Sequence, residues 1–179
     1  MFAGIKRWWS RKRLLRFKRI SRGVRTLRRL SSCTTFLFLF DAEDQQACEQ
    51  INSFARELLR HGKQVMICSY SDAKELSLHL RGMQNATILR PTDLNWYERP
   101  VSERFLTMVN TPYDLLLDFT HEPAMPLLWL CATSQASIKV GFVAQPSLEY
   151  DLLIAASERS SARERLELLQ QYLGEGLQE

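Results

Sequence analysis

The chain has 179 residues, 45% of them hydrophobic and 25% charged, and its formal net charge of +4 hides an uneven distribution. Residues 1–30 carry 12 of the 24 Lys and Arg residues and none of the 20 acids, so this segment has a charge of +12 and the rest of the chain −8. The composition excludes a disordered chain, which would be poorer in apolar residues, and the longest clean apolar runs are shorter than the roughly 18 residues of a membrane span.

Residues 1–30 form a basic arm, and its second half is predicted to be an amphipathic helix. Over residues 17–30 the apolar side chains fall within about 140° of one another at the helical repeat. They are Phe17, Ile20, Val24, Leu27 and Leu30. Over residues 1–16 basic side chains interrupt this pattern. We therefore expect a helix over 17–30 that packs on something, and an adhesive extension over 1–16.

The arm has three possible partners. RNA is favoured because Arg outnumbers Lys nine to three, guanidinium groups match phosphate geometry, and Trp8 and Trp9 could stack on unpaired bases. An anionic membrane surface also attracts basic residues and interfacial Trp and Phe side chains. The third possibility is docking on the acidic body or on another protein. The candidate contact residues are Arg7, Trp8, Trp9, Arg11, Lys12, Arg13, Arg16, Arg19, Arg22, Arg25, Arg28 and Arg29.

Targeting signals and cysteines bear on the compartment. No sustained apolar core follows the basic N-terminus, so a secretory signal peptide is not predicted, whereas an Arg-rich, acid-free segment is also typical of a mitochondrial transit peptide. Cys33, Cys48, Cys68 and Cys131 are widely spaced and form no C-x-x-C motif. We expect buried thiols in a reducing cytoplasm, without a disulfide framework or a zinc site.

Residues 31–179 are predicted to be a single α/β domain. Strands are expected at 34–40, 64–69, 86–89, 113–119 and 138–143, with a short sixth at 152–156. Helices are expected at 43–60, from Asp72 to Gly82, from Ser102 to 110, at 124–133, and after Ser160 or Ser161. Regular alternation of strands and helices indicates a mostly parallel sheet of five or six strands covered on both faces. The expected fold is a Rossmann-like or flavodoxin-like three-layer domain.

Ligands of such folds bind at the carboxyl ends of the strands. Dinucleotide and P-loop proteins have glycines after the first strand, because backbone N–H groups must approach a phosphate. This chain has Asp41-Ala42-Glu43-Asp44 at that place. We therefore expect neither a dinucleotide nor a P-loop nucleotide, and no cofactor.

Acidic side chains at this edge of the sheet could form a site. Asp41 and Asp118 end strands that are neighbours if the strand order is 3-2-1-4-5, and His121 follows shortly after. Two carboxylates so placed could hold Mg²⁺ or act as an acid/base pair, with His121 as proton carrier. The alternative, which the sequence favours, is that Asp41, Asp44 and Asp72 are helix N-caps or first-turn acids. Asp118 would then lie in an ordinary turn. No G-x-S-x-G motif is present.

The segment between Pro91 and Pro100 is predicted to be an irregular loop. It contains Trp96 and Tyr97 together with Asp93, Asn95 and Arg99. Such a loop could recognise a ligand, with Trp96 as a contact residue. It could equally be a capped loop whose Trp fills a gap in the core.

Four segments carry a resemblance to known proteins. They are Phe-Leu-Phe-Asp at 38–41, Tyr-Asp-Leu-Leu-Leu-Asp at 113–118, Ser-Gln-Ala-Ser-Ile-Lys-Val-Gly-Phe at 134–142, and Tyr-Asp-Leu-Leu-Ile at 150–154. The chain resembles an uncharacterised family of small α/β proteins, a domain of unknown function found in Bacteroidota. The second and third segments are also similar to the N-terminal half of heptosyltransferase-type glycosyltransferases, whose second, nucleotide-sugar-binding domain is not predicted here. The resemblance implies a bacterial cytoplasmic protein with a Rossmann-like core and no established activity.

Three functional hypotheses follow. The first is a non-enzymatic binding module that binds RNA, for example ribosomal RNA, through the Arg-rich arm. The second is a peripheral protein that binds an anionic membrane surface, such as the inner membrane, through the same arm. The third is a small-ligand protein or enzyme at the strand edge, with Asp41, Asp118, His121 and Trp96 as its residues.

Overall fold

A six-stranded parallel sheet forms the centre of the computed structural model, which describes residues 2–18, 29–83, 85–157 and 160–173. The strand order is β3-β2-β1-β4-β5-β6, and every neighbouring pair is parallel. This confirms the predicted fold class. The strands are β1 (Thr35–Leu39), β2 (Gln64–Tyr70), β3 (Ala86–Leu89), β4 (Leu115–Asp118), β5 (Ile138–Gly141) and β6 (Leu152–Leu153).

Helices cover both faces of the sheet. They are α1 (Phe2–Lys18), α2 (Gln45–Arg60), α3 (Leu78–Arg81), α4 (Glu103–Asn110), α5 (Met125–Thr133) and α6 (Ala162–Leu173). The buried side chains divide into two clusters: α2, α3 and α6 contribute to one, and α1, α4 and α5 contribute to the other. The order of the strands reverses between β1 and β4, so the carboxyl ends of these two strands flank the position where open α/β sheets form a crevice.

The central strand β1 shows how the sequence produces this arrangement. Successive side chains of a strand point to opposite faces. Phe36 and Phe38 accordingly pack in the cluster with α2 and α6, whereas Leu37 and Leu39 pack in the cluster with α4 and α5. A strand that is buried on both faces reads as a continuous apolar run, which is why the sequence indicates its position clearly.

One predicted helix start, at Asp72, and one predicted capping hydrogen bond, at Ser102, need correction. Asp72 caps no helix: α3 begins at Leu78, and the side chain of Ser77 accepts a hydrogen bond from the Leu80 backbone N–H. Ser102 occupies the N-cap position of α4, but its hydroxyl makes no capping hydrogen bond. At α6 the expected capping serine is Ser161, which exchanges side-chain and backbone hydrogen bonds with Glu164. This reciprocal pair is a capping box.

A helix occupies the N-terminal segment that was predicted to be an extension. Residues 2–18 are helical, although 1–16 were expected to be an extension, and Leu30 begins a short 3-10 turn. The remainder of the predicted helix, residues 19–28, lies outside the described residues. Among the side chains of α1 that the structure describes, residues 4–16, only Ser10 and Leu14 are fully buried. So narrow a stripe gives little hydrophobic periodicity, which explains why a helix over this segment was not predicted.

Two general expectations concern thiols and membrane spans. All four cysteines are buried and none forms a disulfide, as expected. Among the described residues, no helix combines the length and apolar character that a bilayer crossing requires.

Candidate functional site

The first helix presents four rows of side chains, each with the i, i+4 spacing that aligns residues along one side of a helix. The row containing Ser10 and Leu14 is buried against the body. There the indole Nε1 of Trp129, in α5, donates a hydrogen bond of 2.7 Å to the Ser10 hydroxyl. Because the buried Trp N–H and the buried hydroxyl satisfy each other, neither carries an unpaired polar group into the contact. This row fixes α1 on α5.

The row opposite the buried one faces away from the body. It contains Trp8, Lys12 and Arg16, all exposed. The Lys12 ammonium lies 4.9 Å from the centre of the Trp8 ring, within the range of a cation–π interaction. The outward side of α1 therefore combines an aromatic ring with two cations.

The row containing Trp9 and Arg13 faces the loop between β3 and α4. Trp9 contacts Trp96 edge to face, with ring centres 6.3 Å apart. The Arg13 guanidinium lies 4.8 Å from the centre of the Tyr97 ring and donates a 3.2 Å hydrogen bond to the Tyr97 hydroxyl. This loop and α1 thus form one composite surface.

Within the loop, the two neighbouring aromatic residues have different environments. Trp96 is 57% exposed, whereas Tyr97 is buried and packs against Trp129. It is therefore Tyr97, not Trp96, that fills the core, and the expectation that the Trp does so is wrong. Burial acts to raise the pKa of Tyr97, but hydrogen bonds with Asn95, Arg99 and Arg13 outweigh it, so this pKa lies below its usual value.

Some of the predicted contact residues of the arm are exposed in the structure, and others lie outside the described residues. Arg7, Trp8, Trp9, Arg11, Lys12, Arg13 and Arg16 are exposed on α1, and Arg29 is exposed before β1. Arg19, Arg22, Arg25 and Arg28 lie outside the described residues. Trp96, which the sequence grouped with the strand edge, is instead part of the composite surface with α1.

At the strand edge, the carboxylate of Asp118 is occupied by protein groups. One oxygen accepts hydrogen bonds from the backbone N–H and the hydroxyl of Thr120, and the other accepts a 2.6 Å hydrogen bond from the Tyr150 hydroxyl. Burial raises the pKa of Asp118 despite these hydrogen bonds, and together with the neighbouring carboxylate it raises the pKa of Tyr150. Asp118 therefore holds loops together at the end of β4.

Gly141, at the end of β5, makes room for the Tyr150 ring. A Cβ atom placed on Gly141 would lie 2.6 Å from two ring carbons of Tyr150. No larger residue fits there while Tyr150 keeps its hydrogen bond to Asp118. The glycine is thus needed for a close approach of ring and backbone.

Asp41 and His121 do come together, as the predicted strand order implied. The Asp41 carboxylate accepts a 2.6 Å hydrogen bond from the His121 backbone N–H. Burial raises the pKa of Asp41, although backbone hydrogen bonds from His121 and Glu122 oppose this shift. Both residues line a small cavity of about 210 Å³ that Asp118 does not line.

Sequence reasoning missed Arg165, whose side chain also lines this cavity. Its side chain is only 3% exposed, and it donates hydrogen bonds to the Phe119 carbonyl, the Ser160 hydroxyl and His121 Nδ1. Burial lowers the pKa of Arg165, while the carboxylates of Asp41 and Asp118 act in the opposite direction. Because a guanidinium only donates, His121 Nδ1 is the acceptor of this hydrogen bond.

The strand-edge residues do not assemble a metal site. In the described ranges, no group of three or more His, Cys, Asp or Glu side chains is placed to hold a metal ion. The arrangement places the His121 imidazole near a carboxyl group of raised pKa. Chemically, a proton could be exchanged at Asp41.

Comparison with known protein families matches residues 6–175 of the chain to a family of unknown function (DUF6913). The chain belongs to this family. The match begins within α1 and ends after α6, so the DUF6913 pattern includes both the helix and the strand edge that it lies beside. No curated protein and no solved structure matches the chain.

Proposed function

We propose that this protein is a non-enzymatic binding module that binds single-stranded RNA through the outward side of α1 and the Trp96 loop. The observation that carries the proposal is the exposed row of Trp8, Lys12 and Arg16 on α1. The Trp8 ring contacts Trp9, which in turn contacts the exposed ring of Trp96. Proteins that bind single strands without strong sequence preference combine aromatic rings for base stacking with cations that contact the backbone.

Docking of α1 on α5 supports RNA binding by a pre-formed surface rather than by a flexible, positively charged tail. The buried row of Ser10 and Leu14 holds the helix in place, so the aromatic and basic side chains are presented together before a ligand arrives. Pre-positioning of contact groups reduces the ordering cost of binding. Arg19, Arg22, Arg25 and Arg28, outside the described residues, continue the basic segment and are proposed as further phosphate contacts.

Fluorescence anisotropy with a labelled single-stranded RNA tests this proposal. Changing Trp8 or Trp96 to Ala should weaken binding by about 5- to 150-fold, the equivalent of one stacked base. Tyr172→Ala provides the matched control, because Tyr172 is an exposed aromatic residue on α6. Equal losses in all three variants, or none in the Trp variants, would contradict the proposal.

Salt dependence provides a second readout of the same proposal. The logarithm of the affinity should fall with the logarithm of salt concentration by about 0.7 per phosphate neutralised. The double variant Lys12→Gln/Arg16→Gln should reduce this slope by about 1.4. A slope that is flat in the unmodified protein would exclude phosphate contacts as the basis of binding.

A second candidate is binding to an anionic membrane surface, and a separate observation favours it. Ile5, Trp8 and Leu15 of α1 are exposed, with fractions of 52%, 56% and 45%. Apolar side chains next to basic ones are typical of helices that lie in the interface of a bilayer. Co-sedimentation with phosphatidylglycerol vesicles is the test: pelleting should be lost with Trp8→Ala/Trp9→Ala and be absent with phosphatidylcholine vesicles. Pelleting that these changes leave intact would reject this candidate.

We also propose a bacterial origin and a cytoplasmic location, which the buried thiols and the resemblance to a Bacteroidota family support. We likewise propose, on the resemblance of residues 113–118 and 134–142 alone, a similarity to the N-terminal half of heptosyltransferase-type glycosyltransferases. Fractionation of cells expressing the tagged protein tests the location: recovery in the ribosomal fraction fits RNA binding, and recovery with membranes fits the second candidate.

A further inference from the structure

A groove of about 710 Å³ lies between α1 and the carboxyl ends of β4 and β5. On one side it is lined by the fourth row of α1, which contains Arg7, Arg11 and Leu15. On the other side lie the loop after β4, the start of α5 and the loop after β5, including His121, Met125 and Gln145. Its volume falls in the range of about 300–1,000 Å³ typical of small-molecule sites.

The two arginines of the groove have no evident structural role. Arg7 and Arg11 are exposed, and within the described ranges no carboxylate forms an ion pair with either of them. Like charges one helical turn apart weakly destabilise a helix. Charge pairing therefore does not explain their placement, whereas two arginines one helical turn apart in one groove can both donate to the oxygens of a phosphate.

The other residues that line the groove indicate the chemical character of the rest of a ligand whose phosphate the arginines would bind. Leu15, Met125 and Leu128 give it an apolar wall, and Gln145 and Ser147 add neutral polar groups. Glu122 is the acid that lines it, so the arginines leave it with a net positive charge. These groups suit a small organic body that has both an apolar face and hydroxyl groups.

We propose that this groove binds the phosphate monoester of a small organic molecule, with Arg7 and Arg11 binding the phosphate. In the smaller cavity on the other side of His121, two acids, Asp41 and Asp44, outnumber the one arginine, so its lining carries net negative charge and is less suited to an anion. The phosphate therefore lies on the α1 side of His121. This site is separate from the outward row proposed to bind RNA, because Arg7 and Arg11 lie on a different side of the same helix.

Because α1 forms one wall of the groove, a bound ligand contacts both the helix and the body. The ligand then stabilises the docked position of α1 by an amount that grows with the ratio of its concentration to its Kd. A small phosphate ester would in this way control the surface that α1 presents. The expected sign is positive: ligand should protect α1 from proteolysis at the trypsin sites Arg11 and Lys12.

Isothermal titration calorimetry on the full chain tests the site, with ribose 5-phosphate and AMP as probes and ribose and adenosine as uncharged controls. The phosphate esters should bind and their uncharged counterparts should not. The double variant Arg7→Gln/Arg11→Gln should weaken binding by at least about tenfold, through loss of charged hydrogen bonds to phosphate. Leu15→Glu, which places a carboxylate in the groove wall, should weaken it independently.

The matched control is Lys12→Gln/Arg16→Gln, which removes the same charge from the same helix outside the groove. This variant should retain phosphate-ester binding and lose RNA affinity, whereas the Arg7/Arg11 variant should show the larger loss for the phosphate ester. If both double variants weakened phosphate-ester binding equally, the affinity would depend only on the net charge of α1, and the proposed site would be overturned. Absence of binding by either phosphate ester would also overturn it, and neither result depends on the RNA measurement.

Discussion

Two regions of this molecule hold polar side chains next to each other and use them in opposite ways. At the end of β4, the carboxylate of Asp118 is buried and both of its oxygens accept hydrogen bonds from Thr120 and Tyr150. On the outward side of α1, Lys12 and Arg16 are exposed beside Trp8. The first set of groups is satisfied by the protein itself, whereas the second is left to solvent.

Whether a polar side chain is hydrogen-bonded within the protein or exposed to solvent distinguishes structural residues from candidate binding residues more clearly than residue type does. By chemistry alone, the acids at the strand edge look more like a site than the arm does. Their hydrogen bonds show that Asp118 stabilises the loops around it, since a buried charge is tolerated only when its partners are complete. The groups available to a partner are those that the fold does not need.

The largest expected effect comes from breaking the strand-edge network at Gly141. Gly141→Val should destabilise the fold by about 3–5 kcal/mol, because overpacking displaces Tyr150 and removes its hydrogen bond to Asp118. Urea denaturation measures the change. Gly82→Ala is the control, because a Cβ at Gly82 meets its nearest neighbour at an ordinary 3.5 Å. A Gly141→Val protein as stable as the parent would contradict this account of the network.

A second expected effect concerns the attachment of α1 rather than the sheet. Leu14 is fully buried, and Leu14→Ala should cost about 2–4 kcal/mol, confined to the contact between α1 and α5. Hydrogen exchange should show faster exchange in α1 and little change in β1 and β4. Leu15→Ala, on the same helix but 45% exposed, is the control and should leave exchange unaltered. Similar exchange in both variants would show that α1 is not held by this row.

The pH dependence of stability should differ in sign at the two ends of β4. Just before the strand, burial acts to raise the pKa of Asp114, but hydrogen bonds from Thr34 and Thr35 outweigh it and lower this pKa below 3.8. Asp114 therefore contributes stability above its ordinary pKa and loses it as pH falls through the lowered value. Asp118 has a raised pKa, so its contribution declines as pH rises above 3.8 through the raised value.

Urea denaturation between about pH 3 and pH 7 tests this contrast. Asp114→Asn should cost about 1–2 kcal/mol at neutral pH, for lost hydrogen bonds to a charged group, and the cost should shrink as the solution becomes acidic. The stability of Asp118→Asn relative to the parent should instead improve as pH rises. Curves of the same slope for both variants would show that the two carboxyl groups do not differ in this way.

The smallest expected effect is on the outward side of α1. Lys12→Gln/Arg16→Gln should alter the free energy of unfolding by less than about 0.5 kcal/mol, since exposed substitutions away from special features rarely do more. Thermal denaturation is sufficient to measure it. A larger loss would mean that these cations serve the fold, and the contrast between the two regions would then fail.

Hydrophobic periodicity is sufficient to predict the sheet, and with it most of the strand edge. The buried strands are apolar runs bounded by polar or glycine residues, and their alternation with helices implies a parallel sheet. The order 3-2-1-4-5 then brings Asp41 and the segment from Asp118 to His121 to adjacent strand ends. These positions follow from topology, so a single sequence is enough to indicate them.

Two features were not predicted, the buried Arg165 and the position of α1, because each depends on single residues rather than on a periodic pattern. Arg165 carries a detectable signal: it lies in the stripe of Ala162, Leu169 and Leu173 that α6 buries, where an arginine is out of place. Such a residue is expected to have a specific buried partner. The position of α1, by contrast, depends on one leucine and one serine, and the Ser10 partner Trp129 is 119 residues away.

That last contact also sets an order of events during synthesis. Ser10 leaves the ribosome 119 residues before Trp129, which at translation rates of about 5–20 residues per second corresponds to about 6–24 s. Throughout that interval the surface of α5 on which α1 packs does not yet exist. Helix α1 is therefore buried on α5 only after β1 to β4 have been synthesised, and its cations and tryptophans stay exposed until then.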